Sequence, residues 1–179
     1  DHQMTLAYNV YLSTTGKKKK RLGNVAVLDD LGALPIHGLL YQKAPSVDAR
    51  MVFVYGQRMY KSTLPLETSG SWVDIDSVDH FTNNVLTTVS ILAGDSVLFS
   101  NGTDNVFSYN GTSITDEGSD ADADPKKGKC LAYFKNRVWI ANTNDNPDYV
   151  WFSKSLPFNS STKAFDTDAF NNDTNVFQV

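Results

Sequence analysis

The chain is 179 residues long, 41% hydrophobic and 12% aromatic, with 20 acidic against 16 basic residues and a formal charge of −4. That balance excludes the overall basic footprint of non-specific nucleic-acid binding, so any polyanion contact must be local. The single cysteine, Cys130, excludes an internal disulfide and a multi-cysteine zinc site, and no apolar run reaches the roughly 20 residues of a membrane helix.

Strand formers (Val, Thr, Tyr, Phe) alternate with clusters of Asn, Asp, Gly and Ser, the composition of an all-β fold. Residues 6–12 read as a strand, 13–21 as a hairpin with a lysine-rich tip and 23–28 as its return. A connection punctuated by Asp, Gly and Pro follows, closing an N-terminal unit over 1–38. Three stretches then align, residues 51–62, 89–100 and 131–141, each a strand, a tight polar turn and a strand. Their turns are Gly56-Gln57, Gly94-Asp95 and Lys135-Asn136, where Gly or Asn supplies the positive φ of a two-residue hairpin. The turns lie about 38 and then about 41 residues apart, close to the ~40–50 residues of a four-stranded propeller blade.

Further strands are predicted where a blade needs them. After a longer excursion over 63–71 comes 72–76; after the second hairpin come 105–109, the turn Asn110-Gly111 and 112–115; after the third comes 149–153, entered through Asn146-Pro147-Asp148. The pattern predicts propeller-like four-stranded antiparallel repeats over 39–80, 81–118 and 126–179, with no sustained helical period. A generic sandwich or barrel rich in hairpins is the alternative. A closed propeller takes about four to eight blades, so three repeats make an incomplete one. The start at Asp1 and the apolar end Val176-Phe177-Gln178-Val179 are read as cuts in a longer polypeptide.

The leading Asn9 and Tyr11, the basic turn running into Arg21-Leu22-Gly23, His37-Gly38 and the run from Phe53 to Tyr60 together resemble the tail hub, or packaged-DNA stabilisation, proteins of short-tailed phages. The third repeat is similar to hub and nozzle propellers: Tyr133 to Ala141, Asn146-Pro147, Val150 to Ser153, and Pro157. The resemblance implies a non-enzymatic β-propeller that assembles as a homo-oligomeric ring below the portal or adaptor, continues the DNA channel and retains the genome until ejection. It implies no cofactor, a place in the virion tail, and at most transient contact with genomic DNA. The acidic insert over 116–124 departs from that pattern.

Candidate contact residues fall in two groups. Lys17, Lys18, Lys19, Lys20 and Arg21 are five consecutive cations in a mildly acidic chain, suited to a phosphate backbone or an acidic neighbouring subunit; the plainer reading is a solvated hairpin tip that deters edge pairing. Trp151, Phe158, Phe165 and Phe170 punctuate the Asn- and Asp-rich stretch 142–174 and read as an assembly surface. The alternative function is a carbohydrate-binding or carbohydrate-cleaving module, such as a tail-associated receptor-binding protein, with Trp72, Trp139 or Trp151 stacking on sugar rings.

Metal and catalytic readings are weaker. Asp120, Asp122 and Asp124 alternate like a calcium loop, but Pro125 stands where the loop needs Gly and Leu131 where it needs a bidentate Glu, leaving a hydrated acidic loop. Asp74, Asp76, Asp79 and His80 cluster oxygen ligands, with the wet face of a strand as the simpler account. No nucleophile elbow or phosphate-cradling glycine loop is present, and Cys130 beside a strand start is expected to be buried. The four Asn-x-Ser/Thr triplets, at Asn101, Asn110, Asn159 and Asn172, follow from an Asn-, Ser- and Thr-rich composition rather than from glycosylation.

Overall fold

The computed structural model describes residues 10–12, 18–20, 34–44, 47–62, 72–82, 89–118, 125–161, 169–170 and 176–178. Among them the secondary structure is all β. A short hairpin, β1 (Val10–Leu12) with β2 (Lys18–Lys20), precedes three four-stranded antiparallel sheets. Sheet 1 is β3 (Ile36–Ala44), β4 (Val47–Tyr55), β5 (Arg58–Ser62) and β6 (Trp72–Asp74). Sheet 2 is β7 (Val89–Ala93), β8 (Ser96–Ser100), β9 (Phe107–Tyr109) and β10 (Ile114–Asp116). Sheet 3 is β11 (Gly128–Phe134), β12 (Arg137–Thr143), β13 (Tyr149–Phe152) and β14 (Val176–Gln178). Each sheet is a simple meander in which every strand pairs with the next in sequence.

The turns follow from residue type. Tyr55 pairs with Arg58, Ala93 with Ser96 and Phe134 with Arg137, so each of the three turns has two central residues. Gly56 and Gly94 take φ of 63° and 60°, and Lys135 and Asn136 both take positive φ, as twist-matched hairpin turns require. At Asn110-Gly111 the Asn110 side-chain oxygen accepts from the backbone N–H of Thr112 and Ser113, which reverses the chain between β9 and β10.

The first repeat is out of phase with the sequence alignment. The hairpin over 51–62 joins the second and third strands of sheet 1, whereas those over 89–100 and 131–141 join the first and second strands of sheets 2 and 3. The true first strand, β3, opens at Ile36, so His37 and Gly38 lie in a strand rather than in the connection. Its period of two is broken by register shifts between His37 and Leu40 and between Gln42 and Ala44, with Gly38 at φ 55°. Such bulges erase the alternation by which a strand is recognised. β2 is formed by Lys18–Lys20 paired with β1, so these lysines are strand rather than hairpin tip; the proposed return over 23–28 lies outside the described residues.

The sheets stack face to face around two cores. Val52, Val54 and Met59 of sheet 1 meet Val97, Phe99, Phe107 and Tyr109 of sheet 2, with Phe81 from the connection between them. Ala93 and Leu98 on the other face of sheet 2 meet Val138, Ile140 and Trp151 of sheet 3, closed by Ala169 and Phe170. Alternate residues of β8 therefore serve opposite cores, and all five of its residues are buried. The first strands adjoin: β7 packs against both β3 and β11. Polar ties cross the same seams, with Ser90 Oγ donating to Gly38 O at 2.8 Å, Gln42 Nε2 to Asp95 O at 2.9 Å and Ser100 Oγ to Gly128 O at 2.6 Å.

The faces of sheets 1 and 3 that turn away from sheet 2 are aromatic, and on sheet 1 Phe53 is fully buried there. On sheet 1, turned away from sheet 2, Phe53 stacks with Tyr60 at 5.8 Å and meets Trp72 edge-on at 4.4 Å. On sheet 3, turned away from sheet 2, Trp139 lies 5.3 Å from Phe152, with the Arg137 guanidinium 5.6 Å from the Phe152 ring.

Candidate functional site

Sequence reasoning and structure part company over the aromatic surface. Trp151 and Phe170 are 8% and 2% exposed and belong to the core between sheets 2 and 3, and Phe158 packs against that core. Trp151 and Phe170 are therefore core rather than surface: residues 153–156 fold back along sheet 3, with Lys154 N donating to Ala169 O and Leu156 N to Asn136 O, and this docks the segment inward. Phe165 lies outside the described residues, as do Lys17 and Arg21. On sheet 3 the aromatic residues presented outward are instead Phe134, 60% exposed, with half-buried Trp139 and Phe152 beside it. Cys130 shares this face and is exposed, not buried, because β11 turns Leu131 and Tyr133 to the core and Cys130, Ala132 and Phe134 away from it.

The oxygen-rich cluster after β6 is a self-satisfied turn. Arg58 bridges Asp79 at 2.5 Å and Asp74 at 3.3 Å, and His80 Nε2 sits 2.9 Å from the Asp76 carboxylate. Asp74 and Asp76 also accept from the backbone N–H of Ser77 and Val78. With Asp79 as its main partner and Asp74 second, the Arg58 guanidinium is held further into its charged form. Each carboxylate already serves a neighbour, leaving no pair poised as acid and base. Among the described residues no group of three His, Cys, Asp or Glu side chains is arranged to hold a metal ion. The greater part of the alternating aspartate run, residues 119–124, lies outside the described residues.

A cavity of about 390 Å³ lies at one end of the junction between sheets 2 and 3. Three segments distant in sequence build it: the β8–β9 loop at Gly102 and Thr103, the approach to β11 at residues 125–127, and the β12–β13 loop at residues 143–146. Asn144 Nδ2 donates to Gly102 O at 2.9 Å, tying the two loops together. Thr143 Oγ1 donates to Asn146 O and accepts from Asn146 N, which shapes the second loop. Trp151 forms part of the wall, with Lys126 Nζ 5.0 Å from its ring centroid. Among the described residues the buried indole Nε1 finds no acceptor.

Asp104 braces the same end of the stack. Burial opposes its charge, but hydrogen bonds from Thr82 Oγ1, Asn101 Nδ2 and Thr82 N, with Lys127 nearby, outweigh it and hold the carboxyl below its ordinary pKa of 3.8. Sequence reading missed the cavity because its three segments are distant in sequence and meet only when the sheets stack; of its lining, Trp151 alone was singled out as a contact residue. Compared with known proteins, the chain matches no family model, no curated protein and no solved structure.

Proposed function

We propose that the chain is a structural component of a phage tail, of the hub or nozzle type, whose three sheets are consecutive blades of a propeller in a ring that continues the DNA channel. The observation that carries this reading is the stacking order. Three meander sheets follow one another in sequence, and their first strands adjoin, β7 lying against both β3 and β11, as the inner strands of neighbouring blades do around an axis. The outer face of sheet 3, with Phe134 exposed beside Trp139 and Phe152, gives a further blade an apolar surface to cover. In this reading the role is architectural, and the Lys17 to Arg21 run supplies the contact to an acidic neighbour or to DNA phosphates.

Electron microscopy of the purified assembly tests the proposal. The expected result is a ring with cyclic symmetry around an open channel. A monomer that releases reducing sugar from a polysaccharide would overturn it in favour of a carbohydrate-cleaving module.

A further inference from the structure

The cavity between sheets 2 and 3 has no part in the ring reading, yet it has the features of a built site. At about 390 Å³ it falls in the size range of small-molecule pockets. Its rim places a hydroxyl (Thr103), two amides (Asn144, Asn146) and a carboxylate (Asp145) together with the ammonium groups of Lys126 and Lys127. Donors and acceptors are therefore mixed. A ligand hydroxyl, which both donates and accepts, can use such a set fully, whereas a phosphodiester only accepts: Lys126 and Lys127 would attract it, but the Asp145 carboxylate and the amide oxygens would be left without a donor.

The inner wall points the same way. Trp151, 8% exposed, reaches the wall from the edge of the core, and its buried N–H has no acceptor among the described residues, where buried polar groups ordinarily have a partner. Lys126, partly buried on a loop, lies over the ring, and a ligand that stacks there would have to displace it. An apolar face next to a ring of hydroxyl-matching groups is the recognition chemistry of a sugar.

We propose that this cavity binds a neutral saccharide, with one sugar unit stacked on Trp151 and its hydroxyls held by Thr103, Asn144, Asp145 and Asn146. The site is independent of whether the chain forms a ring.

The test probes the full chain with an array of neutral oligosaccharides built from glucose, galactose, mannose and N-acetylglucosamine, then titrates the best binder by calorimetry. Saturable binding is expected, weakened at least tenfold by both Asp145→Ala and Asn146→Ala. These loop variants leave the two cores intact, which a thermal melt verifies. Lys126→Ala is expected to retain or tighten binding, because it uncovers the ring. Binding to no member of the array, or binding unchanged in both rim variants, overturns the proposal. So does tenfold or greater weakening in Lys126→Ala with saturable binding of a short thymidine oligonucleotide, which would assign the cavity to phosphodiesters.

Discussion

Sheets 2 and 3 share one topology, a four-strand meander opened by a two-residue hairpin, but differ in what their faces meet. In β8 of sheet 2 every residue is buried, Val97 and Phe99 against sheet 1 and Leu98 against sheet 3. In β11 of sheet 3, Leu131 and Tyr133 pack inward while Cys130, Ala132 and Phe134 are exposed. Between these two sheets the burial pattern follows position in the stack, whereas on sheet 1 Phe53 is fully buried although it faces away from sheet 2.

The largest expected effect separates the two sheets directly. Phe99→Ala should cost about 3–5 kcal/mol, since it opens a void where two sheets meet, whereas Phe134→Ala on the open face should stay within about 0.5 kcal/mol in the unassembled chain. Urea denaturation of both variants measures the contrast, and equal costs would break it.

The next effect lies at the seam. A Cβ at Gly128 would sit 2.7 Å from the Ala141 carbonyl oxygen and clash with the Ile140 side chain. Gly128→Ala should therefore destabilise by about 1–3 kcal/mol, read as a lowered Tm, because backbone cannot yield as a flexible side chain can. Ser100→Ala should cost about 1 kcal/mol by removing the donor to Gly128 O across the same seam. A neutral Ser100→Ala would show that this hydrogen bond does not help to join the sheets.

Much of this architecture was legible locally. Gly56, Gly94, Lys135-Asn136 and Asn110-Gly111 marked their turns because a positive φ or a side-chain acceptor is a property of the residue itself. The phase of the first repeat was not legible, since the bulges of β3 hide its alternation and the hairpin 51–62 resembles a first hairpin in every local respect. Nor was the inward docking of Trp151 and Phe170, which depends on the fold-back of the chain after β13. The cavity required tertiary structure, because residues near 102, 126 and 145 meet only when the sheets stack.

The smallest expected effect is electrostatic. The pKa of Asp104 is lowered in the folded chain, so its contribution is complete above about pH 4, the unfolded value, and is lost as pH falls through the lowered folded value. Asp104→Asn should flatten the acid limb of the melting curve below about pH 4 and leave the rest nearly unchanged. An unaltered acid limb would remove Asp104 as a brace between Thr82 and Asn101.

The central claim, that the open face of sheet 3 is covered by another blade in the assembled ring, has a built-in probe in Cys130, the single thiol of the chain and exposed on that face. Its maleimide labelling rate, compared between the assembled and the smallest species, measures whether the face is covered. Strong protection of Cys130 in the assembly is the predicted result; equal labelling in both species would contradict the account.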